Sequence, residues 1–198
     1  LPIQQLQIRN ATMHSQTSTI LNIELDNITQ KELLEQLQEG IVVTPNIDHL
    51  MKLQKDQEFY QCYQQADFTV CDSRIIFGLS KLLFPNQALR AQITGSDFFP
   101  AFCEYHKNNE SMGIFLMGGT DESVLQAANN IDKRAGRKMV KGAYSPPFGF
   151  EKCQEETQKI IDLINASEAT VLAIGVGAPK QEKWLMAHKD KFSHVKIM

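Results

Sequence analysis

Residues 113–131 read Gly-Ile-Phe-Leu-Met-Gly-Gly-Thr-Asp-Glu-Ser-Val-Leu-Gln-Ala-Ala-Asn-Asn-Ile. Gly113–Met117 is an apolar run without a polar interruption, the pattern of a strand buried on both faces. Gly118-Gly119 turns the chain and Thr120 caps a helix that carries Val124, Leu125, Ala128 and Ile131 at the helical period. A buried strand that passes through a glycine turn into an amphipathic helix is half of a βαβ unit, and such units build parallel sheets.

The same rhythm continues on both sides. Downstream, Lys138–Ala143 reads as a strand, Ser145–Phe150 as a Pro/Gly loop and Glu151–Asn165 as a helix. Thr170–Val176 is a further strand, Gly177-Ala178-Pro179 a turn with Pro at the first helical position, and Lys180–His188 a helix. Val195–Met198 reads as the start of one more strand. Upstream, Ser18–Leu25 reads as a strand, and Thr29-Gln30-Lys31-Glu32 is a capping box for a helix that carries Leu33, Leu34 and Leu37 and stops at Gly40. Ile41–Val43 is a short buried strand, and Asn46 to about Gln65 is helical with a break near Asp56. Phe68–Cys71 is a strand, Ser73–Phe84 a very apolar helix read as core packing, and Asp97–Lys107 a helix. The expected architecture is a single α/β domain over 1–198. Its sheet is mostly parallel, flanked by helices on both faces and Rossmann-like, with the C-terminal element cut short.

Composition narrows the function. The 198 residues carry 20 Lys and Arg against 23 Asp and Glu, a net charge of −3, so no basic field exists to hold nucleic acid. The cysteines Cys62, Cys71, Cys103 and Cys153 lack C-x-x-C spacing, which argues against a zinc knuckle or a dithiol motif and fits a reducing cytoplasm. No apolar stretch approaches the ~20 residues needed to span a bilayer. His14, His49, His106, His188 and His194 show no metal-ligand spacing. No Asp-x-Asp pair occurs, so the usual grip on a divalent ion beside a nucleotide-sugar is missing and no metal is expected.

In open α/β sheets, ligands sit beyond the carboxyl ends of the strands. That rule selects Thr44, Pro45 and Asn46; Asp72; Gly118 and Gly119; and Gly177, Pro179, Lys180 and Gln181. Free N–H groups at helix N-termini suit a phosphate or pyrophosphate there. Each position alone also has a plain reading, since glycines make turns and Asp72 or Asn46 can cap helices. Neither glycine turn matches G-x-G-x-x-G.

Six blocks taken in order are more specific. They are Thr44-Pro45-Asn46, Ala66-Asp67 leading into Asp72, and Arg90 through Thr94-Gly95-Ser96-Asp97. Then come Phe115-Leu116-Met117-Gly118-Gly119, Gly142-Ala143-Tyr144-Ser145-Pro146-Pro147-Phe148-Gly149, and Gly175-Val176-Gly177-Ala178-Pro179-Lys180-Gln181-Glu182 followed by Trp184. From roughly Ile20 onward the chain resembles the WecG/TagA/CpsF family of bacterial glycosyltransferases. The resemblance implies inverting transfer of an N-acetylhexosamine, typically N-acetylmannosamine, from a UDP-sugar. The implied acceptor is N-acetylglucosamine on an undecaprenyl-diphosphate lipid at the cytoplasmic membrane face, in synthesis of teichoic acid or related surface polymers. It implies catalytic roles for Thr44, Asn46, Asp72 as base and Gln181. It places Gly118, Gly119, Tyr144, Gly177 and Lys180 along the nucleotide-sugar. Arg90 is a second candidate cation beside Lys180, needed where no metal offsets the charge on departing UDP.

The expected partners are therefore a UDP-N-acetylhexosamine, the lipid-linked acceptor and the membrane surface, with a homo-oligomer compatible with the sequence. No cofactor is expected. Two departures stand out. The family has Asp-Gly where this chain has Asp72-Ser73. It also continues past Met198 with an arginine-bearing segment tied to catalysis and membrane docking, so the 198 residues are expected to be a truncated chain and a weak catalyst alone. The alternatives are a hydrolase that releases UDP without an acceptor, and a non-catalytic nucleotide-sugar-binding or scaffold subunit of a polysaccharide assembly complex.

Overall fold

A computed structural model describes residues 17–83 and 85–198. His14 and Phe84, the expected last residue of the apolar helix, lie outside the described residues.

The expected α/β alternation is present. A hairpin of β1 (Thr17–Ile20) and β2 (Ile23–Asp26) leads to α1 (Gln30–Gln36), β3 (Val42–Val43), α2 (Ile47–Leu53), α3 (Gln57–Gln64) and β4 (Phe68–Thr69). Then follow α4 (Arg74–Leu83), α5 (Gly95–Tyr105), β5 (Ile114–Gly118), α6 (Asp121–Ala135), β6 (Val140–Tyr144), α7 (Gln154–Ala166), β7 (Val171–Gly175) and α8 (Lys180–His188). The helix starts are built locally. Thr29 and Glu32 form the capping box, and Asn46, Asp56 and Thr120 each accept a backbone N–H from the first turn of their helices. The break near Asp56 is thus a new helix start.

Two sets of parallel strands, β3-β4 and β6-β5-β7, form the sheet. The segment 196–198 lies between them. The Gly40 N–H donates to the Lys196 carbonyl at 2.8 Å and the Val42 N–H to that of Met198 at 2.9 Å, while the Leu172 N–H donates to Ile197 at 2.9 Å. The neighbours therefore run β6-β5-β7, residues 196–198, β3-β4, all parallel. The strand start read at Val195–Met198 is this bridging segment.

The strand period sorts the core into two faces. Phe115 and Met117 join Leu50, Phe59, Tyr63, Ile160 and Trp184 under α2, α3, α7 and α8. Ile114 and Leu116 join Leu33, Phe98, Phe102 and Val124 under α1, α5 and α6.

Four expectations are corrected. Ser18–Leu25 is not one strand, because Leu21 takes a positive φ of 55° and folds the segment into the antiparallel hairpin with Ile20 opposite Ile23. The helix expected from Glu151 begins at Gln154; Gly149, in the left-handed region, opens a 3-10 turn at Phe150–Lys152 first. Pro179 sits one position before α8 rather than in it. The apolar helix α4 is not packed into the core: Ile76 is buried, but Ile75, Leu79, Leu82 and Leu83 are exposed.

Candidate active site

The ends of β3 and β4 meet first. The Asp72 N–H donates to the Pro45 carbonyl at 3.1 Å, which holds the exit of β4 against that of β3. The Asp72 carboxylate accepts the Gly95 N–H at the start of α5, and Gly95 packs beside the Thr44 hydroxyl. Burial pushes the Asp72 carboxyl above its ordinary range; the Gly95 N–H works against this, and the charge of Asp97 adds to it. Ser73, which stands where the family has glycine, has no positive φ. Its hydroxyl accepts the Ile76 N–H at 3.2 Å and so caps α4. The Asp72 turn thus keeps an ordinary backbone with serine in the second position.

The end of β7 adds the other half. The Gln181 Oε1 accepts the Gly177 N–H at 3.1 Å, and its Nε2 donates to Glu182 Oε1 at 3.1 Å. The Lys52 Nζ reaches the Ala178 carbonyl at 3.4 Å and ties α2 to this turn. At the end of β5, Gly118 lies against Gly175 of β7, and the Ser145 hydroxyl donates to the Gly119 carbonyl at 2.7 Å.

These groups border a cleft of about 520 Å³. Thr44, Gly118, Gly119 and Gln181 line it, together with Gly95 and Glu182. Asp72 is one hydrogen bond away, through Gly95. Below them the cleft runs along the sheet between β3 and β7 and under α5 and α6, walled by Val42, Ala173, Phe98 and Val124. The arrangement sets the Thr44 hydroxyl, the Gln181 carboxamide and the Gly118-Gly119 turn around one opening, with the Asp72 carboxylate behind Gly95. A carboxylate near such an opening suits proton removal from a bound hydroxyl.

Other selected residues lie outside that lining. The Asn46 side chain caps α2 through the His49 N–H at 3.0 Å. The Tyr144 hydroxyl is bound by Glu156 and by Lys159 Nζ, both on α7. Gly177 reaches the cleft only through Gln181. The Lys180 ammonium lies 5.6 and 5.7 Å from the ring centres of Phe148 and Phe150. Arg90, expected beside the diphosphate, pairs with Glu32 at 2.9 Å. The Thr29 N–H and this guanidinium hold the Glu32 carboxyl at about 2, so Arg90 is engaged at the start of α1.

Sequence reading assigned no role to Glu182. It is buried, one of its oxygens has no partner among the described residues, and burial pushes its pKa up. Its signal was the position directly after Gln181 in a helix-opening turn. Between the ordinary carboxylate pKa and the raised folded value, the folded chain holds the extra proton, so stability from this group falls as pH rises through that interval. Glu182→Gln is expected to be more stable than the parent at pH 8, with the gap closing at pH 4, by urea denaturation at both pH values. A variant no more stable at pH 8 would refute a buried, disfavoured charge at this position.

Among the described residues, no group of three His, Cys, Asp or Glu side chains comes together to hold a metal ion, and no helix is long and apolar enough to cross a membrane.

A parallel sheet with helices on both faces and polar groups gathered at its strand ends is an α/β fold of the Rossmann-like class, with its candidate ligand site at the carboxyl ends of the strands. Residues 18–198 match the glycosyl transferase WecG/TagA/CpsF family. The chain belongs to that family and is a glycosyltransferase. It is similar to an N-acetylglucosaminyldiphosphoundecaprenol N-acetyl-beta-D-mannosaminyltransferase of Staphylococcus aureus strain NCTC 8325, 24% identical over 189 residues covering 90% of this chain and 70% of the relative. A protein of the same description from strain MRSA252 is 23% identical over the same coverage.

Proposed function

We propose that this chain transfers N-acetylmannosamine from a UDP-sugar to N-acetylglucosaminyl-diphosphoundecaprenol, with inversion, at the inner face of the plasma membrane in the synthesis of a cell-surface polymer. The observation that carries the reading is the Asp72 carboxylate, held by the Gly95 N–H next to Thr44 at the strand ends of a chain of this family. The acceptor hydroxyl attacks the anomeric carbon from the side opposite UDP. Its proton passes to Asp72 as the new C–O bond forms and the bond from the sugar to the diphosphate breaks. N–H groups at the start of α6 and the Lys180 ammonium offset the charge that develops on UDP.

The test is UDP release with and without the lipid-diphosphate acceptor. Release that requires acceptor supports transfer, release without it indicates a hydrolase, and UDP binding with no release indicates a non-catalytic subunit. On this reading UDP is held by backbone N–H groups and lysine rather than by a metal. Calorimetric UDP affinity is therefore expected to stay within about twofold when EDTA is added. A collapse in EDTA would overturn that part.

A further inference from the structure

In α4, successive residues advance 100° around the axis. Ile75, Leu79, Leu82 and Leu83 therefore fall in one arc, and all four are exposed, at 61, 46, 76 and 59%. Ile76 and Ser80, next round the helix beyond Leu83, are buried against the fold. Arg74 and Lys81 border the exposed arc on one side, across Gly78, and the Lys81 Nζ lies 4.1 Å from the centre of the Phe77 ring. The helix carries no carboxylate. It begins two positions after Asp72, so its first turn is at the strand ends where the cleft opens.

We propose that this face of α4 docks the protein on an anionic phospholipid bilayer. An apolar stripe with cations at its edge is the pattern of a helix lying in a membrane interface, with leucines among the acyl chains and cations at the headgroups. The charge and the area both favour lipid over a second copy. A twofold pairing of α4 would bring two arginines and two lysines onto one seam with no carboxylate of the helix to answer them. The four side chains expose roughly 400 Å² per copy, about half of what one partner buries in a stable interface. The proposal rests on the transferase reading only for why a bilayer is present, since a polyprenyl-diphosphate acceptor resides in one.

The test is co-sedimentation of the 198-residue chain with vesicles of phosphatidylglycerol mixed with phosphatidylcholine, and with phosphatidylcholine alone. The parent is expected to bind the anionic vesicles about tenfold or more tightly. Leu79→Glu with Leu82→Glu is expected to lower that binding at least about tenfold. Arg74→Gln with Lys81→Gln is expected to remove the preference for anionic lipid. All of these positions are on the surface, and calorimetric UDP affinity equal to the parent's shows that the variants are folded. Absence of parental binding, or Leu79/Leu82 variants that bind like the parent, would overturn the proposal. So would a lipid-free dimer, seen by analytical ultracentrifugation, that Leu82→Glu dissociates. A parent that binds vesicles but not UDP would instead count against the transferase reading and leave the docking face standing.

Discussion

Replacing Asp72 by Asn in a transfer-competent form of the protein is expected to lower kcat by about 10²–10⁴-fold while UDP affinity changes less than about twofold. A sugar hydroxyl is a poor nucleophile until its proton has somewhere to go. Asn keeps the size of the side chain and a carbonyl oxygen for the Gly95 N–H, so the turn at the end of β4 survives the change. What is lost is the capacity to accept a proton, worth ~3–5 kcal/mol of barrier on that range. The pH profile carries a second expectation. Burial raises the Asp72 carboxyl above its ordinary range, and the base acts when ionised. Turnover should therefore fall on the acid side, with a midpoint above 3.8, the ordinary value for this group, and the variant should lack that limb. Residual turnover above about a tenth of the parent's would show that another group takes the proton, since one decade is only ~1.4 kcal/mol.

Gly118→Ala is expected to destabilise the fold by about 3–5 kcal/mol, a large fraction of the ~5–15 kcal/mol typical of a domain. Gly118 ends β5 with φ at +132°, in a region that side-chain-bearing residues rarely enter. A Cβ there would lie 2.4 Å from the Gly175 carbonyl oxygen and 2.6 Å from its carbon. Both are backbone atoms of the adjacent strand, so no side-chain rotation relieves the contact, and β5 and β7 must part where they border the cleft. Gly136 is the control. It follows α6 with φ at +67°, and a Cβ there meets nothing within 4 Å, so Gly136→Ala should cost about 1 kcal/mol. Urea midpoints of both variants check the pair. Equal losses would show that β5 and β7 separate easily and that Gly118 does not set the cleft.

The parts of the fold that were legible in the sequence depend on neighbours along the chain. The Thr29–Glu32 box, the Asp56 break and the Thr120 cap are all closed within three residues, so their residue types announce them. The apolar run of β5 was legible because both faces of that strand are covered. The Leu21 turn was not, because it has a positive φ without the glycine or proline that usually signals one. Composition alone could not say which way α4 faces: a very apolar helix reads as core whether or not anything packs over it. In the site, strand-end position brought Thr44, Gly118, Gly119 and Gln181 to one cleft. The engagement of Arg90 by Glu32, 58 positions away, and of Tyr144 by Glu156 and Lys159 on α7, is tertiary pairing with no local mark.

The segment 196–198 joins the two parts of the sheet by pairing with Gly40 on one side and Val171 on the other. Partners so far apart in sequence bring a large loop-closure entropy, which places this seam among the late events of folding. The seam does not stand on hydrogen bonds alone, because both core layers cross it: Leu50 and Phe59 pack with Phe115 and Trp184 on one face, and Leu33 and Phe68 with Ile114 and Val171 on the other. Ile197 and Met198 line the cleft, as do Val42 and Ala173 on either side of them. A molecule that grips both walls therefore acts as a fastener across this seam.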